Sequence, residues 1–287
     1  MRALTISSVT IAQFRRAFDA WNDHDDARMG AALAFYTILS LAPLVIIVIA
    51  LLGFAFGTLR AQEFLLTQIQ SMVGQDGSDL VKSMIMKNPK PSEGIVASLV
   101  GVITLLLGAS GVFEELRSAL NRIWDVQPVE ESTVKRMIRA RVFAFGMVLA
   151  IGFLLLVSLM VSSALTAMGT YFSGYLPMPH SLLRALDLLI SLLGVGAMFA
   201  LIFKYVPAAY VSWQHVIRGA LITSFLFTIG KYAIGLYLGN SAIASAYGAA
   251  GSLIVIIIWV YYSAQIFLLG AEYTHLLAVT PNVKTIG

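Results

Sequence analysis

Apolar residues run along this chain in blocks too long for the core of a soluble domain. Between Arg28 and Arg60, Glu93 and Glu114, Arg141 and Arg184, and Lys231 and Glu272 there is no Asp, Glu, Lys or Arg. About 20 apolar residues suffice to cross a bilayer as a helix. An open strand would leave backbone groups unpaired in lipid, so the blocks are expected as helices. The run from Arg141 to Arg184 could hold two, but Gly169, Gly174, Pro177 and Pro179 place an exit and a turn in its second half. Gly239-Asn240-Ser241 and Gly248-Ala249-Ala250-Gly251 divide the last run. Six spans result: Ala31 to Phe56, Ile95 to Val112, Val142 to Met168, Leu182 to Phe203, Val216 to Leu238 and Ala249 to Ala271. The expected fold class is all-α, a polytopic membrane protein with interfacial helices.

The flanks carry shorter patterns. Ile11, Phe14, Phe18 and Trp21 recur at three and four residues with Arg15 and Arg16 beside them, which predicts an amphipathic helix along the inner leaflet. Arg15-Arg16 superficially matches a twin-arginine signal, but Asn22-Asp23-His24-Asp25-Asp26 stands where an apolar region is required, so no cleavable signal is expected. In the loop from Gly57 to Gly94, Phe64, Leu65, Ile69 and Met72, then Leu80, Val81, Met84 and Ile85, predict short helices that end before Pro89 and Pro91. The organisation is thus an amphipathic segment over 1–30, a transmembrane domain over 31–272 with an outer loop at 57–94 and a cytoplasmic loop at 113–141, and a tail over 273–287. Gly30-Ala31-Ala32-Leu33 and Gly219-Ala220-Leu221-Ile222 open spans one and five alike, too short a match to establish a repeat.

Composition agrees: 59% of residues are hydrophobic and 12% charged, against about 25% charged in soluble domains. The absence of cysteine excludes disulfides, thiolate metal sites and cysteine nucleophiles. The net charge of +4 is distributed as topology. Arg2, Arg15, Arg16, Arg28, Arg117, Arg122, Lys135, Arg136, Arg139, Arg141, Lys204, Arg218 and Lys284 fall on one face; Arg60, Lys82, Lys87, Lys90 and Arg184 fall on the other. Basic loops stay inside, so both termini are expected in the cytoplasm and no nucleic-acid partner is implied. Expected partners are membrane lipids, which the Lys135 to Arg141 cluster would meet, and a second copy of the chain through the small-residue pattern Gly53 to Gly57.

Enzymatic apparatus is not visible. The histidines, His24, His180, His215 and His275, lie apart, with no His-Glu-x-x-His, no Gly-x-Ser-x-Gly and no Walker lysine loop. No enzyme, no cofactor and no metal site is expected. Asp23-His24-Asp25-Asp26 is the nearest thing to an oxygen-rich cluster for a hard cation, but the plainer expectation is a solvated segment that caps the helix into span one.

Charge inside the spans carries more information. Lys231 lies roughly 20 Å from the inner end of span five, where a cation costs on the order of 3 kcal/mol. Asp187 in span four reaches a similar depth; Ser40, or the Leu39 carbonyl that Pro43 frees, offers another partner in span one. The alternative is that Lys231 snorkels to headgroups. Tyr261, Gln265 and Glu272 share one face of span six, and Ser224, Thr228, Lys231 and Gly235 share one face of span five. These stripes could line a hydrated path or form packing seams. After span two, Phe113, Leu116, Leu120 and Ile123 make one apolar face, with Glu114, Arg117, Asn121 and Arg122 around it. This segment reads either as a gate at the inner mouth or as an interfacial strut.

Several strings resemble the YihY/virulence factor BrkB family: Ala31-Ala32-Leu33-Ala34-Phe35-Tyr36, Leu39-Ser40-Leu41-Ala42-Pro43-Leu44, the block from Gly108 to Trp124, Gly230-Lys231-Tyr232, Ser245-Ala246-Tyr247-Gly248, Trp259-Val260-Tyr261-Tyr262 and Gly270-Ala271-Glu272. The resemblance spans nearly the whole chain and implies a bacterial inner-membrane protein. Members have carried a ribonuclease BN label, or have been taken as transporters or envelope factors, lipid movement included. The ribonuclease label needs a His and Asp cluster and a basic groove with aromatics, neither of which the sequence presents outside the membrane. The expected function is ATP-independent transport or flipping of an ion, a small solute or an envelope lipid. The rival is a non-transporting envelope scaffold working through the loop at 57–94.

Overall fold

A single apolar helix, Gly251–Val279, forms the axis on which most of the other described helices pack. The structure, a computed structural model, describes residues 2–86, 111–126, 142, 146, 180–240, 247 and 250–279. Among these residues the elements are all helices, without strands, joined by short turns and by a loop at 206–212. In chain order the helices are α1 (Arg2–Asp23), α2 (Asp26–Phe56), α3 (Thr58–Val73), α4 (Gln75–Met86), α5 (111–123), α6 (His180–Tyr205), α7 (Trp213–Asn240) and α8 (Gly251–Val279). Helices α7, α2, α1 and α4 pack on α8, α6 packs on α7, and α3 packs on α2 and α4.

Three stretches among the described residues are long and apolar enough to cross a membrane: Leu188–Tyr205, Trp213–Leu238 and Gly251–Val279. They coincide with the expected spans four, five and six, the last continuing about two turns beyond its expected end. Span one lies within α2, which runs as one helix through Pro43. The expected spans at 95–112 and 142–168 lie outside the described residues, apart from 111, 112, 142 and 146. The two short helices expected in the loop after span one are α3 and α4. Gly57, at φ 85°, ends α2 by donating its N–H to Gly53 O at 2.9 Å, a backbone position that favours glycine.

Helices in lipid are held by close packing, not by expelling water from between them. The α7–α8 seam shows how. A β-carbon added at Gly219 would overlap Thr274, and one added at Gly270 would overlap Thr223. Each threonine hydroxyl donates to its own helix, Thr223 to Gly219 O and Thr274 to Gly270 O, both at 2.7 Å. Two glycines and two threonines thus interlock reciprocally with no polar atom left over. Farther along, Gly230 admits Ile266 and Tyr262 in the same way.

Apolar packing gathers at the two ends of the bundle. One core joins Val45, Ile49 and Leu52 of α2 to Ala61, Val73 and Val81 of α3 and α4 and to Val255 of α8. The other joins Met29, Leu120, Phe203, Val216, Phe267 and Leu268. In the second, the Phe267 ring stands 5.3 Å from Phe203 and 5.9 Å from Phe199. Helix α1 lies at this end, with Ala17 fully buried and Phe14 5.6 Å from Tyr273. Of the expected apolar stripe, Phe14 and Trp21 turn toward this core on either side of Ala17, whereas Phe18 is exposed and stacks on Trp21 at 5.5 Å.

Candidate functional site

The junction between α1 and α2 is two residues long. His24 N–H closes α1 on Ala20 O at 2.9 Å, and Asp25 turns into the left-handed region at φ 59°, ψ 37°. Its carbonyl then accepts the N–H groups of Arg28 and Met29 at 2.9 and 3.2 Å. Aspartate enters this region at lower cost than most residues, which lets the chain fold back at once.

That corner corrects the expectation of a solvated helix cap. A capping side chain needs the extended backbone of an ordinary N-cap, and the left-handed Asp25 makes no side-chain cap hydrogen bond. Its carboxylate instead lies 3.6 Å from Arg28 and 3.7 Å from Arg122. The next residue, Asp26, is turned inward and is 0% exposed.

Asp26 meets Glu272 of α8, also 0% exposed, and His24. His24 Nδ1 lies 2.5 Å from Glu272 Oε1. One donor atom from each of the three residues falls within 4.8 Å of the others. Both carboxylate oxygens of Asp26 and Oε2 of Glu272 are buried without a hydrogen-bond partner. Burial pushes the Asp26 carboxyl up to about 7; the Glu272 charge adds to the rise, while His24 and Arg122 oppose it. The positive end of the α2 dipole at this first turn favours an anion there. Three buried unpartnered oxygens beside a partly exposed imidazole can hold a cation.

Helix α5 forms the rim. Its C-terminus is a Schellman turn with Asp125 at φ 50°: Val126 N–H donates to Asn121 O at 2.9 Å and Asp125 N–H to Arg122 O at 3.1 Å. The turn sets Trp124 edge-on to His275 at 4.9 Å and directs Arg122 to Asp25. Asn121 Oδ1 accepts the Ala208 N–H at 2.8 Å, tying α5 to the α6–α7 loop. Of the other rim candidates, Glu114 is exposed and Arg117 half-buried. In the same loop Lys204 donates to Val211 O at 2.6 Å and lies under the Tyr210 ring at 4.6 Å.

The stripe on span six divides between neighbours. Gln265 faces α2: its Nε2 points to Ala27 O at 3.5 Å, a β-carbon at Gly30 would overlap it, and its Oε1 is buried and unpartnered. Tyr261 is half-buried one turn back. On span five, Thr228 donates to Ser224 O at 2.8 Å, and on α2 the buried Ser40 donates to Thr37 O at 3.0 Å.

Lys231 is half-buried, with Nζ 5.1 Å from the Tyr232 ring centre, and forms no ion pair among the described residues. It lies at the level of Tyr262, about 15 Å along the helix axis from Glu272, so the structure does not bring the two charges together. Asp187 is in α6 and Pro43 in α2, but their side chains lie outside those described.

Sequence reasoning named Glu272 without its partners. The available signal was that Glu272 and the Asp23 to Asp26 string fall on the same face of the membrane by the distribution of basic residues.

The sequence model of the Virulence factor BrkB family matches residues 17–284. A UPF0761 membrane protein of Photobacterium profundum is 30% identical over 257 residues, covering 88% of this chain and 76% of its own. One of Pseudoalteromonas translucida is 29% identical, covering 84% and 78%. One of Aggregatibacter aphrophilus is 27% identical, covering 93% and 92%. No solved structure matches.

Proposed function

The chain belongs to the Virulence factor BrkB family of membrane proteins, and on that premise we propose that it is an ATP-independent transporter of the bacterial inner membrane. Its cargo is an ion, a small solute or an envelope lipid, and its cation-responsive centre is the His24–Asp26–Glu272 cluster. Both termini lie in the cytoplasm, as the distribution of basic residues favours.

One observation carries this reading: a fully buried pair of carboxylates with three oxygens unpartnered, at the junction of an interfacial helix corner and the central apolar helix. Buried charge in a helix bundle costs several kcal/mol if it serves packing alone. At a functional centre the same cost is the source of control. A cation between Asp26 and Glu272 adds a second tie between the α1–α2 corner and α8 beside the His24–Glu272 contact; without one, repulsion between the two carboxylates works against that contact. From this centre Gln265 and Tyr261 continue along α8 toward the level of Lys231, giving polar steps between otherwise apolar helices.

The test is flux in proteoliposomes, measuring scrambling of a fluorescent anionic phospholipid beside ion conductance. Wild type is expected to move at least one probe, and Glu272→Gln to change the rate at least tenfold. Silence of the folded wild type in both assays shifts the assignment to a scaffold. Loss of partners on deleting the surface of α3 and α4 would then identify its working face.

A further inference from the structure

We propose that His24, Asp26 and Glu272 form a binding site for a divalent transition-metal ion of the zinc and manganese class. The site deepens the cation-responsive centre proposed above, on which its functional meaning rests, but its existence stands on geometry alone.

The donor set limits the ion. Magnesium and calcium prefer shells made wholly of oxygen, whereas one imidazole nitrogen with two carboxylates suits zinc or manganese. The charges balance, since two carboxylates neutralise one divalent ion. The donor atoms lie within 4.8 Å of one another; ligands about 2.0–2.2 Å from a tetrahedral zinc stand roughly 3.4 Å apart. Side-chain rotations on the order of 1 Å therefore close the set, with Glu272 Oε1 exchanging its contact with His24 for the metal.

The acidic cluster is not the whole observation. Asp26 is completely buried, and neither of its carboxylate oxygens has a partner. Two unmet acceptors on one buried side chain are a strong departure from the usual satisfaction of buried polar groups, and a metal ion supplies what they lack. Glu272 Oε2 offers a further buried donor.

One ligand of the set reaches the surface, the His24 side chain being 26% exposed. Asp25 joins Arg28 and Arg122 across the rim. Partial exposure of one ligand leaves room for water at the open coordination position.

The experiment uses the full chain in nanodiscs, stripped with chelator and titrated with Zn2+, bound metal being read by mass spectrometry and affinity by calorimetry. One equivalent per chain is expected for wild type. Asp26→Asn and Glu272→Gln are each expected to weaken binding by about 100-fold or more, beyond the 10–100-fold typical of outer-shell changes. Glu63→Gln, an exposed carboxylate on α3, should bind as wild type. X-ray absorption at the zinc edge of the wild type, which needs no variant to fold, should give nitrogen and oxygen ligands at about 2.0–2.2 Å. Wild-type binding no tighter than that of folded Asp26→Asn, or an edge spectrum without imidazole, overturns the site. Metal binding in a chain that moves neither probe retains the site and removes the transport reading, so the two failures are distinguishable.

Discussion

His24 Nδ1 stands 2.5 Å from Glu272 Oε1 across 248 residues of sequence. This contact fastens the corner between α1 and α2 to the last helix of the chain. The fully buried Asp26 lies beside it, where the charges of Glu272 and His24 both act on its carboxyl.

Neutralising Asp26 should stabilise the metal-free protein. The carboxylate is buried beside the Glu272 charge with both oxygens unpartnered; an amide removes that repulsion and offers Glu272 an N–H donor, a gain of about 1–3 kcal/mol. Asp26→Asn is expected to raise the unfolding temperature in chelator and to abolish the further rise that zinc gives wild type. Scanning fluorimetry in nanodiscs reads both. A lower unfolding temperature in chelator would mean that the carboxylate has a stabilising partner.

The α7–α8 seam should behave as a coupled pair. Gly219→Ala drives a β-carbon into Thr274 and is expected to cost about 1–3 kcal/mol. Adding Thr274→Ala should recover part of that loss, with a coupling energy of about 0.5–3 kcal/mol. Additive losses in a double-mutant cycle would show that the two helices do not meet there.

Asp125 occupies a left-handed position that glycine adopts without strain. Asp125→Gly is therefore expected to leave α5 docked and to preserve stability or raise it by up to about 1 kcal/mol. A clear loss of stability would assign the Asp125 side chain a contact of its own.

Lys231 lies about 15 Å from Glu272 along the helix axis. Lys231→Ala should leave zinc affinity within about twofold of wild type while lowering flux, since its cation belongs to the far end of the polar path. Equal losses of zinc binding and flux would place it instead in the same centre as Glu272.

The long elements were legible because an uncharged apolar run has few structural solutions in lipid. The ranges of α6, α7 and α8 follow from Leu182 to Phe203, Val216 to Leu238 and Ala249 to Ala271, and the periodicity after Gly57 gave α3 and α4. The cluster was not legible, because local rules describe neighbours in sequence. Asp23 to Asp26 reads as a cap by composition. The left-handed Asp25 instead sends its own carboxylate to the arginines and Asp26 inward. Glu272 was visible as a polar mark at the end of span six, but its partner depended on how sharply α1 turns into α2. Likewise, the Thr228 hydroxyl, which the sequence offers to a path, is spent on Ser224 O of its own helix, whereas Thr223 and Thr274, unmarked in the sequence, fill the space above Gly270 and Gly219.

The most direct measurement is the distance between α1 and α7 with and without a cation in the cluster. Because the chain has no cysteine, spin labels at Asp19→Cys and Gln214→Cys report this pair alone by double electron–electron resonance in nanodiscs. The account predicts a narrow distribution with zinc, a longer and broader one with chelator, and no zinc dependence once Glu272→Gln is added. Distributions unchanged between zinc and chelator, or a zinc response that persists in Glu272→Gln, would contradict it.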